Sequence, residues 1–163
     1  MKLLTLIRHA KSDWDNDLYD FDRPLNERGE RDAPIMGEYV AANLPKPDLI
    51  ISSPAVRAAR TAEIFAEKTN YPIDKIEYVD ELYLCSISEY IEVLLDQNPK
   101  INHIFVISHN PGTTGFANLL TGEIMEDVPT CAVINISLDL YKWADIEPDT
   151  GKILKYFTPK NIK

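Results

Sequence analysis

The segment Leu3-Leu4-Thr5-Leu6-Ile7-Arg8-His9-Ala10 decides how the chain is read. Leu3, Leu4, Leu6 and Ile7 form an apolar run of strand length. An uninterrupted run of this kind marks a parallel strand buried on both faces. Arg8 and His9 stand where the strand ends and a polar loop begins. Ligands of open α/β sheets bind beyond the carboxyl ends of the strands. A cation and an imidazole are thus delivered together to the place where a site is expected.

Working outward, similar apolar runs recur at 48–52 (DLIIS) and 103–108 (HIFVIS). A shorter strand is expected over 76–79, and two more over 131–138 (CAVINISL) and 152–157. Pro148-Asp149-Thr150-Gly151 is a turn signal before the last of these. Helical patterns separate the runs. In 25–44, Asn26 is the expected N-cap with Glu27 in the first turn, and Ile35, Met36, Tyr39, Val40 and Leu44 form an apolar face. Pro34 predicts a kink there, or a helix whose body starts near Glu30. The helix over 55–69 follows Ser53-Pro54 and is expected to bury Val56, Ala59, Ile64 and Phe65. Ser86 or Ser88 caps a helix ending near 97, with Ile91, Leu94 and Leu95 inward, and 113–120 forms a fourth. This alternation predicts a three-layer α/β/α sandwich with a mostly parallel sheet and an antiparallel edge.

A chain of 163 residues with 45% apolar content suits a single domain over 1–163 with a full core. The net charge of −9 argues against nucleic acid and anionic membrane surfaces as partners. It also makes clustered arginines more informative, because they are held against the overall field. Cys85 and Cys131 do not make a disulfide framework and read as small packed thiols. The opening run is too short for a signal sequence, and no stretch approaches membrane-spanning length. A cytoplasmic protein, monomeric or weakly dimeric, is expected.

Three strand ends carry the chemistry: Arg8-His9, Arg57 just after DLIISSP, and His109 after HIFVIS. Arg57 falls in the first turn of its helix, where the dipole disfavours a cation, which implies an anion between them. Two guanidiniums and two imidazoles suit phosphate, whose oxygens the arginine fork matches in pairs. Helix N-termini add backbone N–H donors for the same anion. A neutral imidazole can attack phosphorus while a second donates a proton to a phosphoryl oxygen. Metal-ligand spacings and a P-loop glycine pattern are absent, so neither metal nor cofactor is expected. The loop over 10–24 borders the site, and most of its aspartates read as solvated. His103 reads as a strand-start residue.

Arg8-His9-Ala10, Ser52-Ser53-Pro54-x-x-Arg57-Ala58-x-x-Thr61-Ala62 and Ser108-His109-Asn110 together resemble the signature blocks of the histidine phosphatase superfamily, which includes the phosphoglycerate mutases. The blocks occur in the family's order across most of the chain. Lys11-Ser12-x-Trp14, Arg23-Pro24-Leu25-x-x-x-Gly29 and the short length resemble its small bacterial branch, the SixA-type phosphohistidine phosphatases. The resemblance implies a phosphoglycerate mutase-like fold and a phosphohistidine intermediate on His9. It implies that Arg8, Arg57 and His109 hold the phosphoryl oxygens. Glu81, in Asp80-Glu81-Leu82, matches the position of the proton donor in many members. Arg23, Asn110, Ser12 and Lys11 are expected substrate contacts, with a structural salt bridge in the acidic loop as the alternative for Arg23 and plain surface as that for Lys11. Trp14 and Tyr83 are placed at the pocket mouth or packed under the loop. Ala10 replaces the usual glycine. Asp15 stands where larger members often place an asparagine on the phosphate, and is expected to point elsewhere.

The expected partner is a phosphorylated protein or a small phosphorylated substrate. Short connections after the strands leave little material for a lid, and an open site suits a protein-borne phosphoryl group. The leading reading is a metal-independent protein phosphohistidine phosphatase. The alternatives are a small-molecule phosphomonoesterase of the same fold and a non-catalytic phosphoprotein-binding module; a mutase is disfavoured. An alkoxide leaving group needs a positioned acid more than an imidazole does. On that reading Glu81→Gln would impair alkyl phosphate turnover more than phosphohistidine turnover.

Overall fold

The computed structural model describes residues 1–14 and 17–162. Its elements in chain order are β1 (Lys2–Arg8), α1 (Glu27–Asn43), β2 (Leu49–Ser52), α2 (Val56–Lys68), β3 (Glu77–Tyr78), α3 (Ile87–Leu95), β4 (His103–Ser108), α4 (Gly112–Thr121), β5 (Val133–Leu138) and β6 (Gly151–Phe157), with short 3₁₀ turns between them. The sheet order is β3-β2-β4-β1-β5-β6. The first four of these run parallel, and β5 and β6 close the sheet as antiparallel strands. The expected α/β architecture with an antiparallel edge is the one observed.

The apolar strands are buried on both faces because helices cover both. Leu4, Leu6, Ile51, Ile104 and Val106 pack with Tyr90, Leu94, Phe116 and Leu120 of α3 and α4. Ile7, Ile50, Phe105 and Ile107 pack with Met36, Val40, Ala62 and Phe65 of α1 and α2. Alternation along each strand assigns its side chains to the two layers in turn. Trp143 seals the first layer, fully buried, with its indole N–H donating to the Ile101 carbonyl at 2.9 Å. Cys85 and Cys131 are free and buried. No helix among the described residues is long and apolar enough to cross a membrane.

Three expectations need correction. Helix α1 runs through Pro34 from Glu27 rather than starting near Glu30. Asn26 caps it by accepting from the Gly29 amide at 2.9 Å, and burial of Ala33, Met36 and Val40 holds the helix together across the bond that proline lacks. Ile35 is exposed, outside the buried stripe. In α2 the buried stripe is Arg57, Ala58, Thr61, Ala62, Phe65 and Ala66, with Ile64, while Val56 is exposed. The face is turned from the expected one because small residues let the helix lie close to the sheet, and this turn carries Arg57 inward. In α3 the buried residues are Tyr90 and Leu94, with Ser86 and Glu89 forming a capping box.

Candidate active site

Register builds the site. Strands β1 and β4 pair so that Arg8 lies opposite Ser108, the last residue of each strand. The next residue on each chain is a histidine, and the His9 amide donates to the Ser108 carbonyl at 3.0 Å. The two imidazoles therefore emerge as neighbours, with ring centroids 5.1 Å apart. Strand β2 continues the pattern, because Ser52 lies opposite Ile107 and Ser53 follows it. The Ser53 hydroxyl sits 2.8 Å from His109 Nε2. Three adjacent carboxyl ends thus converge on a pocket of about 210 Å³ that Arg8, His9, Arg57 and His109 line.

The imidazole of His9 is fixed in one tautomer. Its Nδ1 lies 2.7 Å from the Ala10 carbonyl, which only accepts, so Nδ1 carries the proton and Nε2 the lone pair. Burial, with the charges of Arg57 and Arg8 and the neighbouring His109, holds the His9 pKa down at about 3, against the ordinary 6.5. At neutral pH the ring is therefore uncharged. The Ala10 amide in turn donates to Thr61 Oγ1 at 3.0 Å, and that hydroxyl donates to the Arg57 carbonyl. One turn of α2 thus clamps the backbone beside the histidine and supplies the arginine that faces it. Arg57 Nε donates to His9 Nε2 across 3.3 Å, a long contact.

His109 is held low in the same way, at about 3, chiefly by burial and by the Arg57 charge. Its Nδ1 is buried with no hydrogen-bond partner, as is Arg8 Nε. Orphaned buried polar atoms are costly to the fold. Arg8 is anchored through Nη1 to the Val128 carbonyl at 2.7 Å. Among the described residues no group of three or more His, Cys, Asp or Glu is arranged to hold a metal ion.

Asp20 organises the outer half of the pocket. Its Oδ2 accepts from Arg57 Nη2 at 3.0 Å and from the Tyr83 hydroxyl at 2.6 Å. Its Oδ1 meets Arg23 through Nε at 3.2 Å and Nη2 at 3.1 Å. Partial burial alone would raise the Asp20 pKa, but the Tyr83 and Arg57 hydrogen bonds and the arginine charges bring it to about 2. Arg23 also donates to Ser12 Oγ at 2.8 Å and stacks on the Trp14 ring, its guanidinium carbon 3.4 Å from the centroid.

The family model described as histidine phosphatase superfamily (branch 1) matches residues 4–93. The chain belongs to that superfamily. The phosphohistidine phosphatase SixA of Escherichia coli is 27% identical over 147 residues, covering 86% of this chain and 84% of that protein. An uncharacterized protein of Mycobacterium tuberculosis is 29% identical over 165 residues, covering 94% of this chain and all of the relative. The solved structure of the protein histidine phosphatase SixA complexed with tungstate superposes with a TM-score of 0.85 at 24% identity, covering 99% of each chain, a likeness of fold.

In this histidine phosphatase the expected contacts Lys11, Ser12, Arg23 and Asn110 all line the pocket with the four central residues. Two of them have their polar atoms largely committed to the protein itself. Ser12 accepts from Arg23. Asn110 donates to the Val128 carbonyl and accepts from both the amide and the hydroxyl of Thr114. Both therefore read as supports of the wall. Glu81 is not brought to the pocket. It is exposed in the 3₁₀ turn Asp80–Leu82 and borders a separate depression with Glu92 and Asp96. The physical reason is the turn itself: Leu82 is the residue buried into the core, which swings its neighbour outward. Asp15 lies outside the described residues.

Sequence reasoning passed over Asp20, whose loop holds many aspartates. It also passed over the reason for Gly29. A β-carbon at Gly29 would stand 2.1 Å from the Lys11 carbonyl oxygen, so only glycine lets α1 press the loop carrying Lys11 and Ser12 into place. The spacing from Arg23 to Gly29 was the available signal.

Proposed function

We propose that this phosphatase removes phosphoryl groups from phosphohistidine in proteins, through a phosphohistidine intermediate on His9. The observation that carries the reading is how His9 and Asp20 are held in the pocket. His9 Nδ1 is held on the Ala10 carbonyl, which leaves Nε2 its lone pair for attack. Asp20, the carboxyl group that lines the pocket among the described residues, is engaged by Arg57, Arg23 and Tyr83, which keep it ionised. An alkyl phosphate leaves as an alkoxide and needs a positioned acid. A phosphoimidazole does not, because its other ring nitrogen takes a proton from solvent before cleavage.

The transfer balances without further groups. His9 Nε2 bonds to phosphorus while the substrate P–N bond breaks and its electron pair returns to the leaving nitrogen. The substrate ring, protonated at its other nitrogen, departs neutral. His9, keeping the Nδ1–H that Ala10 holds, becomes the phosphoimidazolium. Arg8, Arg57 and His109, whose Nδ1 is unpartnered, line the same pocket, which supports the reading that they hold the phosphoryl oxygens. Water then adds to phosphorus, the bond to His9 breaks, and inorganic phosphate leaves with the water's hydroxyl and proton.

The test compares kcat/KM on free phosphohistidine and a phosphohistidine peptide with that on sugar phosphates. The phosphoramidates are expected to lead by about a hundredfold or more, the scale of a general acid's contribution. His9→Ala is expected to abolish both turnover and an acid-labile label on the protein. Faster turnover of sugar phosphates would overturn the substrate assignment, and undiminished activity of His9→Ala would overturn the intermediate.

A further inference from the structure

A collar of apolar side chains stands exposed around the pocket mouth. Trp14, Leu18, Tyr19 and Phe21 come from the loop after β1, and Leu84 from the segment before α3. Trp14 and Leu84 line the pocket itself, and Phe21 packs edge-on against Tyr83 at 5.1 Å. At Trp14 and Leu84 the collar meets the site. Tyr19 is 85% exposed and Leu84 56%. Clustered exposure of this kind marks an interaction surface, unlike single scattered apolar residues.

Leu84 carries a second cost. Its φ is 50°, in the left-handed region that a leucine rarely adopts. Backbone strain of that sort gathers at sites where the surrounding structure fixes it for a purpose. Here it holds a largely exposed apolar side chain out at the rim.

Charge says what fits the collar. Asp17 and Asp22 alternate with the apolar residues of the loop and are exposed, and 17–22 contains neither lysine nor arginine. A second copy of this chain, also at −9, is repelled by such a rim. An apolar patch with basic residues around it is complementary. We propose that the collar docks the protein that carries the phosphoryl group, gripping an apolar and basic patch around its phosphorylated residue. This inference rests on the phosphohistidine reading and adds to it where recognition happens.

The experiment uses synthetic phosphohistidine peptides whose flanks are leucine and arginine, glycine and serine, or leucine and glutamate, beside free phosphohistidine. The full-length enzyme is expected to favour the leucine–arginine peptide by about tenfold in kcat/KM, one decade of binding. The double variant Leu18→Ser/Tyr19→Ser is expected to lose most of that preference while turning over free phosphohistidine as before. Leu84→Gly, which relieves the left-handed strain, is expected to raise KM for the same peptide without lowering the melting temperature. Equal turnover of all peptides, or a preference that survives the double variant, overturns the docking surface and leaves the phosphohistidine reading standing. A concentration-dependent dimer that the double variant abolishes assigns the collar to a second copy and overturns the proposal. No turnover of free phosphohistidine overturns both.

Discussion

Asp20 holds Arg57 through two contacts: its carboxylate Oδ2 lies 3.0 Å from Nη2, and its own carbonyl accepts from Nη1 at 2.6 Å. Nε faces His9, and one N–H remains on each Nη. An internal anion therefore sits on the guanidinium proposed to hold the phosphoryl group. The arrangement does two opposing things. It fixes the arginine before substrate arrives, and it places a negative charge beside an incoming dianion. Charges a few ångströms apart and screened as in bulk water interact by about 1 kcal/mol, roughly fivefold in affinity. Asp20→Asn keeps the size and a hydrogen-bond acceptor but removes the charge. Inorganic phosphate is expected to bind the variant about fivefold more tightly by calorimetry. Weaker binding would show that orienting Arg57 is the dominant effect.

The site's inner half was legible in the sequence for a physical reason. Parallel pairing of two apolar runs that each end in a polar residue and a histidine leaves the rings little choice but to meet. The outer half was not. Asp13, Asp17, Asp20 and Asp22 share one loop, and nothing local separates the one that caps two arginines from its neighbours. Glu81 shows the converse. Its place in the chain matched a proton donor, but which way a side chain points in a tight turn depends on which neighbour the core takes. Helix α2 lies between these cases. Its extent was readable, but its alanine-rich stripe looked weaker than the one containing Val56, so the inward turn of Arg57 came only with the packing.

All three histidines of the chain are buried, and their pKa values are held down at about 3 for His9 and His109 and about 4 for His103, in each case chiefly by burial. His103 Nε2 also lies 2.7 Å from Thr5 Oγ1 inside the sheet. Between these values and 6.5 the unfolded chain binds protons that the folded chain refuses. Stability therefore rises with pH across that window and is full above it. Each such proton is worth about 1.4 kcal/mol per pH unit. Urea unfolding at pH 5.0 is expected to show a loss of about 6 kcal/mol relative to pH 7.5, from three rings over about 1.5 pH units. Histidine ring NMR is expected to keep His9 in the neutral Nδ1–H form at both values. An unchanged midpoint would show that the rings titrate normally.

Glu81 lines no part of the pocket, so it has no route to the leaving group. Glu81→Gln is expected to leave kcat and KM within about twofold on phosphohistidine and on alkyl phosphates alike, as surface substitutions usually do. A selective loss on alkyl phosphates alone would mean that the turn at Asp80–Leu82 rearranges to bring the carboxyl in.

Gly29 links the fold to the site through one contact. A methyl group there would overlap the Lys11 carbonyl oxygen, which also accepts from the Asn26 amide at 3.0 Å. Either α1 withdraws or the loop after β1 does. The first loses packing against the sheet, and the second moves Ser12 and with it the hydroxyl that receives Arg23. Overpacking of this severity is expected to cost about 2 kcal/mol or more. Gly29→Ala should therefore lower the melting temperature by several degrees, roughly 2–4 °C per kcal/mol for a chain of this size. It should also raise KM more than it lowers kcat, because the displaced loop holds the outer cations and leaves His9 clamped by Thr61. A fall in kcat alone would place the strain on the histidine instead.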